Sequence, residues 1–245
     1  GIDVGGTFTD LLLFHEETGR IWRAKTPSTP ADQSVGVLNG INLVCERAGI
    51  HKDAIDSIIH GTTVGTNAVL EGKGGRVGLI TTIGFEQILH LARGQTPGPL
   101  AGWMIMMKPD PRASLEDTVE AQERMDARGQ VVRKLDEADI KAKIQALVKK
   151  GIESITISLI NSFANPAHEY QIRDIAKQVA PKIPVTCSYD VLPQFREYER
   201  AETAVLNSYI RPNVSRYLHN LETKLKSAKL KAILNVLRSD GGLMS

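Results

Sequence analysis

Cysteine is scarce in this chain: only Cys45 and Cys187 occur in 245 residues, far apart and without the spacing of metal ligands. A cysteine-based metal site is therefore not expected, and a single disulfide is the less favoured alternative for the pair. The pair is expected as buried free thiols in a reducing cytoplasm. Net charge is nearly absent too, with 30 Lys and Arg interleaved among 28 Asp and Glu. No electrostatic footprint for nucleic acid stands out. No apolar run approaches the ~20 residues needed to cross a bilayer. A charged start followed by an apolar stretch is also missing, so neither a membrane span nor a signal peptide is expected. Internal repeats and low-complexity tracts are lacking. Gly1 opens on a strand-like motif and Ser245 follows a Gly-Gly turn, the pattern expected of a fragment of a longer polypeptide.

What is present is ordinary globular material, 42% hydrophobic and 24% charged, enough for one large domain or two modest ones. Three short strands are predicted over residues 1–4, 9–14 and 21–25, with a turn at Glu17-Thr18-Gly19. Thr29-Pro30-Ala31-Asp32 opens a helix that Gly49 closes. Strands at 57–60, 77–81, 154–159, 184–188 and 232–237 alternate with helices at 62–70, 84–91, 136–150, 166–179 and 197–228, the last with a possible bend at Pro212. Residues 120–125 and 130–133 read as a hairpin. Gly94, Pro97, Gly98, Pro99, Gly102, Pro109 and Pro111 make residues 93–112 an irregular loop around Trp103-Met104-Ile105-Met106-Met107. Its three methionines read as core or subunit-contact residues. Strand–helix alternation argues for an α/β layered architecture.

The chemistry is concentrated in Gly1-Ile2-Asp3-Val4-Gly5-Gly6-Thr7-Phe8-Thr9-Asp10. A buried strand carries Asp3, and paired glycines then permit a turn that a Cβ would obstruct. Consecutive N–H groups in such a turn can converge on one phosphate. Thr7 and Thr9 add hydroxyls, and Asp3 can hold a divalent cation, with Asp10 near it. Mg2+ (or Mn2+) is the expected ion, since Mg2+ takes oxygen ligands and keeps its waters beside phosphates. No helix follows the glycines, as a dinucleotide fingerprint requires, and no Gly-Lys-Ser/Thr follows, as a Walker A loop requires. A bare Gly-Gly hairpin is the plainer alternative; the flanking Asp and Thr residues favour phosphate. In the second polar segment, Thr62, Thr63 and Asn67 can face the same cleft at a helix start, or Thr62 can simply cap that helix. His60 reads as a satisfied core or strand-end histidine. By spacing alone Arg196-Glu197-Tyr198-Glu199-Arg200 is a solvated charged face.

Asp-x-Gly-Gly-Thr-x-x-Asp resembles the first phosphate motif of the sugar kinase, heat-shock chaperone ATPase and actin superfamily. His60-Gly61-Thr62-Thr63-Val64-Gly65-Thr66-Asn67-Ala68 and Gly78-Leu79-Ile80-Thr81-Thr82-Ile83-Gly84-Phe85 narrow the choice. So do Ser162-Phe163-Ala164-Asn165-Pro166-Ala167-His168-Glu169, Arg196 to Arg200, and Thr203-Ala204-Val205-Leu206-Asn207-Ser208-Tyr209. Together, and in order over essentially the whole chain, they are similar to the hydantoinase A/oxoprolinase family. Ala92 to Pro99 and Gly102 to Met106 look most like a subunit of acetophenone-carboxylase-type enzymes.

The resemblance implies an actin-like, ribonuclease H-like α/β fold and the amino-terminal part of a larger chain. Residues 1–180 would form the amino-terminal domain with the phosphate hairpin, and 181–245 the start of the main domain, with Pro181-Lys182-Ile183-Pro184 as the linker candidate. It implies ATP bound at Gly5, Gly6, Thr7, Phe8 and Thr9, with Thr62, Thr63 and Asn67 nearby. The function implied is ATP-dependent phosphorylation of a carbonyl substrate, as a ketone carboxylase subunit using bicarbonate with other subunits. The alternatives are hydrolysis of a cyclic amide of the N-methylhydantoinase or 5-oxoprolinase type, and a non-catalytic actin-like scaffold. It also implies that the Arg196 to Arg200 segment is a packed structural element. The second phosphate motif and the adenosine motif of the superfamily are not present by Ser245; Asp240-Gly241-Gly242 resembles only the approach to them.

Overall fold

The computed structural model describes residues 1–29, 32–94, 109–238 and 242–244. Met104, Met106, Met107, most of the 93–112 loop and the Asp240-Gly241 turn lie outside them. In chain order, β1 (Ile2–Val4), β2 (Phe8–His15) and β3 (Arg20–Pro27) precede α1 (Gln33–Ala48), β4 (Ser57–Thr62) and α2 (Val64–Leu70). Next come β5 (Val77–Thr82), α3 (Ile88–Leu91), β6 (Thr118–Ala121), β7 (Arg124–Met125), β8 (Val131–Arg133) and α4 (Glu137–Lys149). Then follow β9 (Ser154–Ser158), α5 (Ala167–Val179), β10 (Val185–Cys187), α6 (Ser188–Val191), α7 (Glu197–Ser227), β11 (Ile233–Leu237) and β12 (Leu243–Met244). The chain divides into two compact units, Gly1–Lys73 with Asn213–Ser245, and Gly74–Pro212.

The first unit is built on a six-stranded sheet of order β12-β11-β4-β1-β2-β3. β1 to β3 form an antiparallel meander, while β4 lies parallel to β1 and β11 parallel to β4. This is the ribonuclease H-like arrangement that the family resemblance implies. The period of two sends Ile2, Val4, Thr9, Leu11, Ala24, Ile58 and His60 inward, and Asp3, Asp10 and Lys25 outward. α1 covers the inward face with Val37, Ile41 and Val44, and α7 does so with Tyr217, Leu221 and Leu225. Full burial of a side chain such as Val4 or Leu221 stabilises the unit by about 2 kcal/mol. α1 is capped as its sequence indicates. The Asp32 carboxylate accepts from Ser34 N–H, and Gly49 takes the left-handed conformation at φ 68°.

The second unit holds a four-stranded sheet of order β10-β9-β5-β6, parallel throughout. Every residue of β5 and β9 is buried, as in a parallel sheet covered on both faces. α4 and α5 supply Ile140, Ile144, Leu147, Ile172 and Ala176 to its core. The first arm of the expected 120–133 hairpin is in fact divided. Thr118–Ala121 joins the parallel sheet, and only Arg124–Met125 pairs with β8. The break falls at Glu123, which is fully buried: its Oε1 accepts from Thr82 Oγ1 and its Oε2 lies 2.7 Å from His168 Nδ1.

Arg200 corrects the surface reading of its segment. Its side chain is wholly buried. It donates to Ser188 Oγ at 3.1 Å, Gln194 O at 2.9 Å and Leu159 O at 2.8 Å, and pairs with Glu197. Neighbouring Glu169 accepts from Leu159 N–H, Ser188 Oγ and Tyr189 N–H, and burial raises its carboxyl pKa. The segment is packed structure, as the family resemblance implied. Cys45 and Cys187 are buried free thiols, as expected. Among the described residues no helix is long and apolar enough to cross a membrane.

Candidate functional site

The Gly-Gly segment is the tight turn between β1 and β2. Gly5 N–H donates to Phe8 O at 3.0 Å, and Val4 stands opposite Thr9, leaving Gly6 and Thr7 as the loop. The N–H groups of Gly6 and Thr7 make no hydrogen bond among the described residues. They are adjacent, exposed donors at a strand end, the equipment of a small anion-binding concavity.

Ser28, which sequence reasoning missed, secures this turn. Its hydroxyl donates to Gly5 O at 2.8 Å and its N–H to Thr7 O at 2.9 Å. Thr9 is fully buried, with Oγ1 at 3.1 Å from Ser28 Oγ. Its hydroxyl therefore braces the turn from inside. Phe8 is exposed, with Lys25 Nζ 4.9 Å above its ring.

Asp3 and Asp10 are directly opposite across β1 and β2. Like charges so placed oppose sheet formation unless a cation offsets them. Lys25 Nζ reaches Asp10 at 3.1 Å, but both side chains are more than half exposed, so this pair is worth little. The Asp3 carboxylate has no hydrogen-bond or ion-pair partner among the described residues. With Gly61 and Lys25, the two carboxylates line a cavity of about 650 Å³ that Arg47, near the end of α1, also borders. Among the described residues no group of three or more His, Cys, Asp and Glu is gathered as for a protein-only metal cage. The one or two carboxylates that Mg2+ takes beside a phosphate are available.

β4 brings the second polar segment alongside. Thr62 Oγ1 accepts from Val64 N–H at 3.2 Å, one residue before Thr63, the N-cap of α2, whose own side chain makes no capping hydrogen bond. Thr63 Oγ1 donates to Val4 O at 3.2 Å, joining the start of α2 to the end of β1. Asn67 Nδ2 donates to Thr63 Oγ1 at 3.3 Å, and an added Cβ at Gly6 would stand 3.6 Å from that nitrogen. Gly6 and Asn67 thus share one wall of a second cleft, of about 330 Å³, near the start of α1. The structure brings the hairpin and the Thr62–Asn67 segment together. It places Asp3 and Asp10 in the first cavity, and Gly6 and Asn67 in this second cleft.

His60 is buried, as expected for a core histidine, but only half satisfied: its Nδ1 has no hydrogen-bond partner among the described residues. Its Nε2 lies 2.8 Å from the Tyr217 hydroxyl, and burial pushes its pKa down to about 4. Burial raises the Tyr217 pKa, so both groups are neutral near pH 7.

A sequence profile of the hydantoinase/oxoprolinase N-terminal region matches residues 1–180, and one of hydantoinase/oxoprolinase matches residues 200–245. An uncharacterized protein of Methanocaldococcus jannaschii is 37% identical over 246 residues, 99% of this chain and 35% of the relative. The acetophenone carboxylase gamma subunit of Aromatoleum aromaticum is 34% identical over 256 residues, 98% of this chain and 35% of that subunit. The crystal structure of ATP-dependent caprolactamase from Pseudomonas jessenii superposes with a TM-score of 0.88 at 30% identity, over 99% of this chain and 36% of that one. The chain thus spans about a third of the length of these relatives. With a profile match over residues 1–180 and the same fold in a solved relative, the chain belongs to the hydantoinase/oxoprolinase family.

Proposed function

We propose that this chain carries the first phosphate-binding half of an ATP site, in an enzyme that phosphorylates a carbonyl substrate as a subunit of a ketone carboxylase using bicarbonate. The observation that carries the reading is the pair of unbonded N–H groups at Gly6 and Thr7, one strand-end away from the opposed Asp3 and Asp10. Catalysis of phosphoryl transfer is mainly positioning and charge neutralisation. Gly6 and Thr7 would hold phosphate oxygens while Ser28 and Thr9 keep the turn from relaxing. Mg2+ or Mn2+, held by Asp3 with Asp10 near it, would supply the neutralising charge. The substrate oxygen forms a bond to the γ-phosphorus as the bridging P–O bond breaks and ADP leaves with the electron pair. In this reading residues 1–180 carry the hairpin and 181–245 begin the main domain.

A second reading, ATP-dependent opening of a cyclic amide, is favoured by the 30% identity to the caprolactamase. Its phosphorylated oxygen belongs to the ring carbonyl, and water completes the hydrolysis. Phosphate release by the full-length protein with its co-purified partners separates the two. Dependence on a ketone plus bicarbonate, with labelled bicarbonate entering an acid, supports the carboxylase. Dependence on a cyclic amide moves the assignment to the hydrolase. A competent complex that shows neither overturns both and leaves a scaffold.

A further inference from the structure

α7 presents Asn213, Arg216, Tyr217 and Asn220 to the cleft beside Gly6 and Asn67. Positions i, i+3, i+4 and i+7 lie on one face of a helix, so this is a continuous stripe directed at the turn. The charges around the cleft are unequally matched. Lys73 pairs with Glu71 at 2.7 Å and Asp32 with Lys224 at 2.5 Å. Arg216, exposed, also lines the cleft and has no acidic partner among the described residues. Gln33 lines it as well, and its buried Oε1 has no hydrogen-bond partner among the described residues.

We infer that this cleft is the subsite for a planar O–C–O anion, either bicarbonate or the carboxylate of a cyclic amide acid, and that Arg216 is its specificity-determining residue. The inference rests on the phosphate reading of the turn. A guanidinium fork matches two carboxylate-type oxygens with parallel N–H bonds. The Asn213 and Asn220 carboxamides, each both donor and acceptor, serve the rest of the ligand. Tyr217 adds a donor. His60 Nδ1 is buried without a partner among the described residues, and a stranded N–H is rarer than a stranded acceptor. The His60 proton therefore belongs on Nε2, where it donates to the Tyr217 oxygen and leaves the phenol proton for another acceptor. Gly6 belongs both to this cleft and to the phosphate turn, which puts such an anion next to the group to be transferred.

The test is equilibrium titration of the full-length protein with bicarbonate, with 5-oxoproline, and with 2-pyrrolidinone, which has the same ring without the carboxylate. One of the two anions should bind, and which one identifies the source. Arg216→Gln should weaken that binding about tenfold or more, as loss of a charge-assisted hydrogen bond requires, while nucleotide affinity stays unchanged. The neutral lactam should bind far more weakly than the carboxylate form. Asp3→Asn should do the converse, losing nucleotide and keeping the anion. Failure of both anions to bind, unaltered binding in Arg216→Gln, or equal binding of the neutral lactam and 5-oxoproline would overturn the inference. Nucleotide binding that survives Asp3→Asn would instead count against the metal role of Asp3 alone, and the parent protein's failure to bind nucleotide against the phosphate reading.

Discussion

Replacing Gly6 by alanine separates the binding function of the turn from its folding. The new Cβ would meet Asn67 Nδ2 at 3.6 Å, an ordinary van der Waals distance, and Gly6 does not use a positive φ. Folding should therefore change by less than about 1 kcal/mol, with a small gain possible from the stiffer unfolded chain. Binding should respond very differently, because the methyl group occupies space beside the two free N–H donors. Losing two hydrogen bonds to a charged phosphate, at about 1.5 kcal/mol each, amounts to about 3 kcal/mol, or roughly a hundredfold in affinity. Gly5→Ala makes the contrasting control. Its Cβ would lie 3.1 Å from Phe8 O, the acceptor that closes the turn, so it should lower stability as well. Urea midpoints and titration with a fluorescent ATP analogue, on the full-length protein, measure the two quantities separately. A folded Gly6→Ala protein that binds nucleotide like the parent would refute the assignment of phosphate to this turn.

If the proposed ATP chemistry holds, Asp3→Asn in the full-length protein should remove most substrate-dependent phosphate release with little change in melting temperature, since Asp3 is exposed. His60 makes stability pH-dependent. Its pKa is depressed to about 4 in the folded protein against roughly 6.5 when unfolded, so the unfolded chain binds the extra proton between those values. Stability should fall as pH drops from about 6.5 toward 4, by up to about 3 kcal/mol; His60→Gln should flatten that slope in urea titrations taken at successive pH values. Arg200→Met should destabilise by about 3 kcal/mol or more, because Leu159 O and Gln194 O lose their buried donor and Glu197 its partner. Calorimetry reads that loss directly. Gly74→Ala should be comparably damaging, since its Cβ would fall 2.2 Å from the Tyr209 ring.

Strands and helices were largely legible because burial imposes a period: the meander of β1 to β3 alternates, and α1 carries both its caps in the sequence. Thr9 is less transparent. It follows a ligand-like motif, yet the same alternation that sends Asp10 outward sends Thr9 into the core. Arg200 reads as a surface residue because charge normally belongs in water, and nothing in the hairpin pattern around Glu123 signals its burial. Their partners, His168 in one case and Ser188, Leu159 and Gln194 in the other, are contributed by distant stretches of chain. The Asn213 to Asn220 stripe carries no signal in the sequence, since a polar helix face looks the same whether it meets solvent or a cleft. The Gly5-Gly6 turn was visible because it is local; the cleft beside it is assembled from segments far apart in sequence.

The sheet of the first unit also sets an order for synthesis. β4 is paired on one side by β1, but its other neighbour is β11, with Ile233 opposite Ser57. The whole Gly74–Pro212 unit is made between those two strands. At ~5–20 residues per second the interval is on the order of ten seconds. For that time the growing polypeptide carries β4 as an unpaired edge, able to capture a neighbouring strand. Gly74–Pro212, continuous in sequence, can condense meanwhile. A stalled or prematurely ended polypeptide would then combine a finished insert with an open sheet, a form suited to chaperone binding and to aggregation.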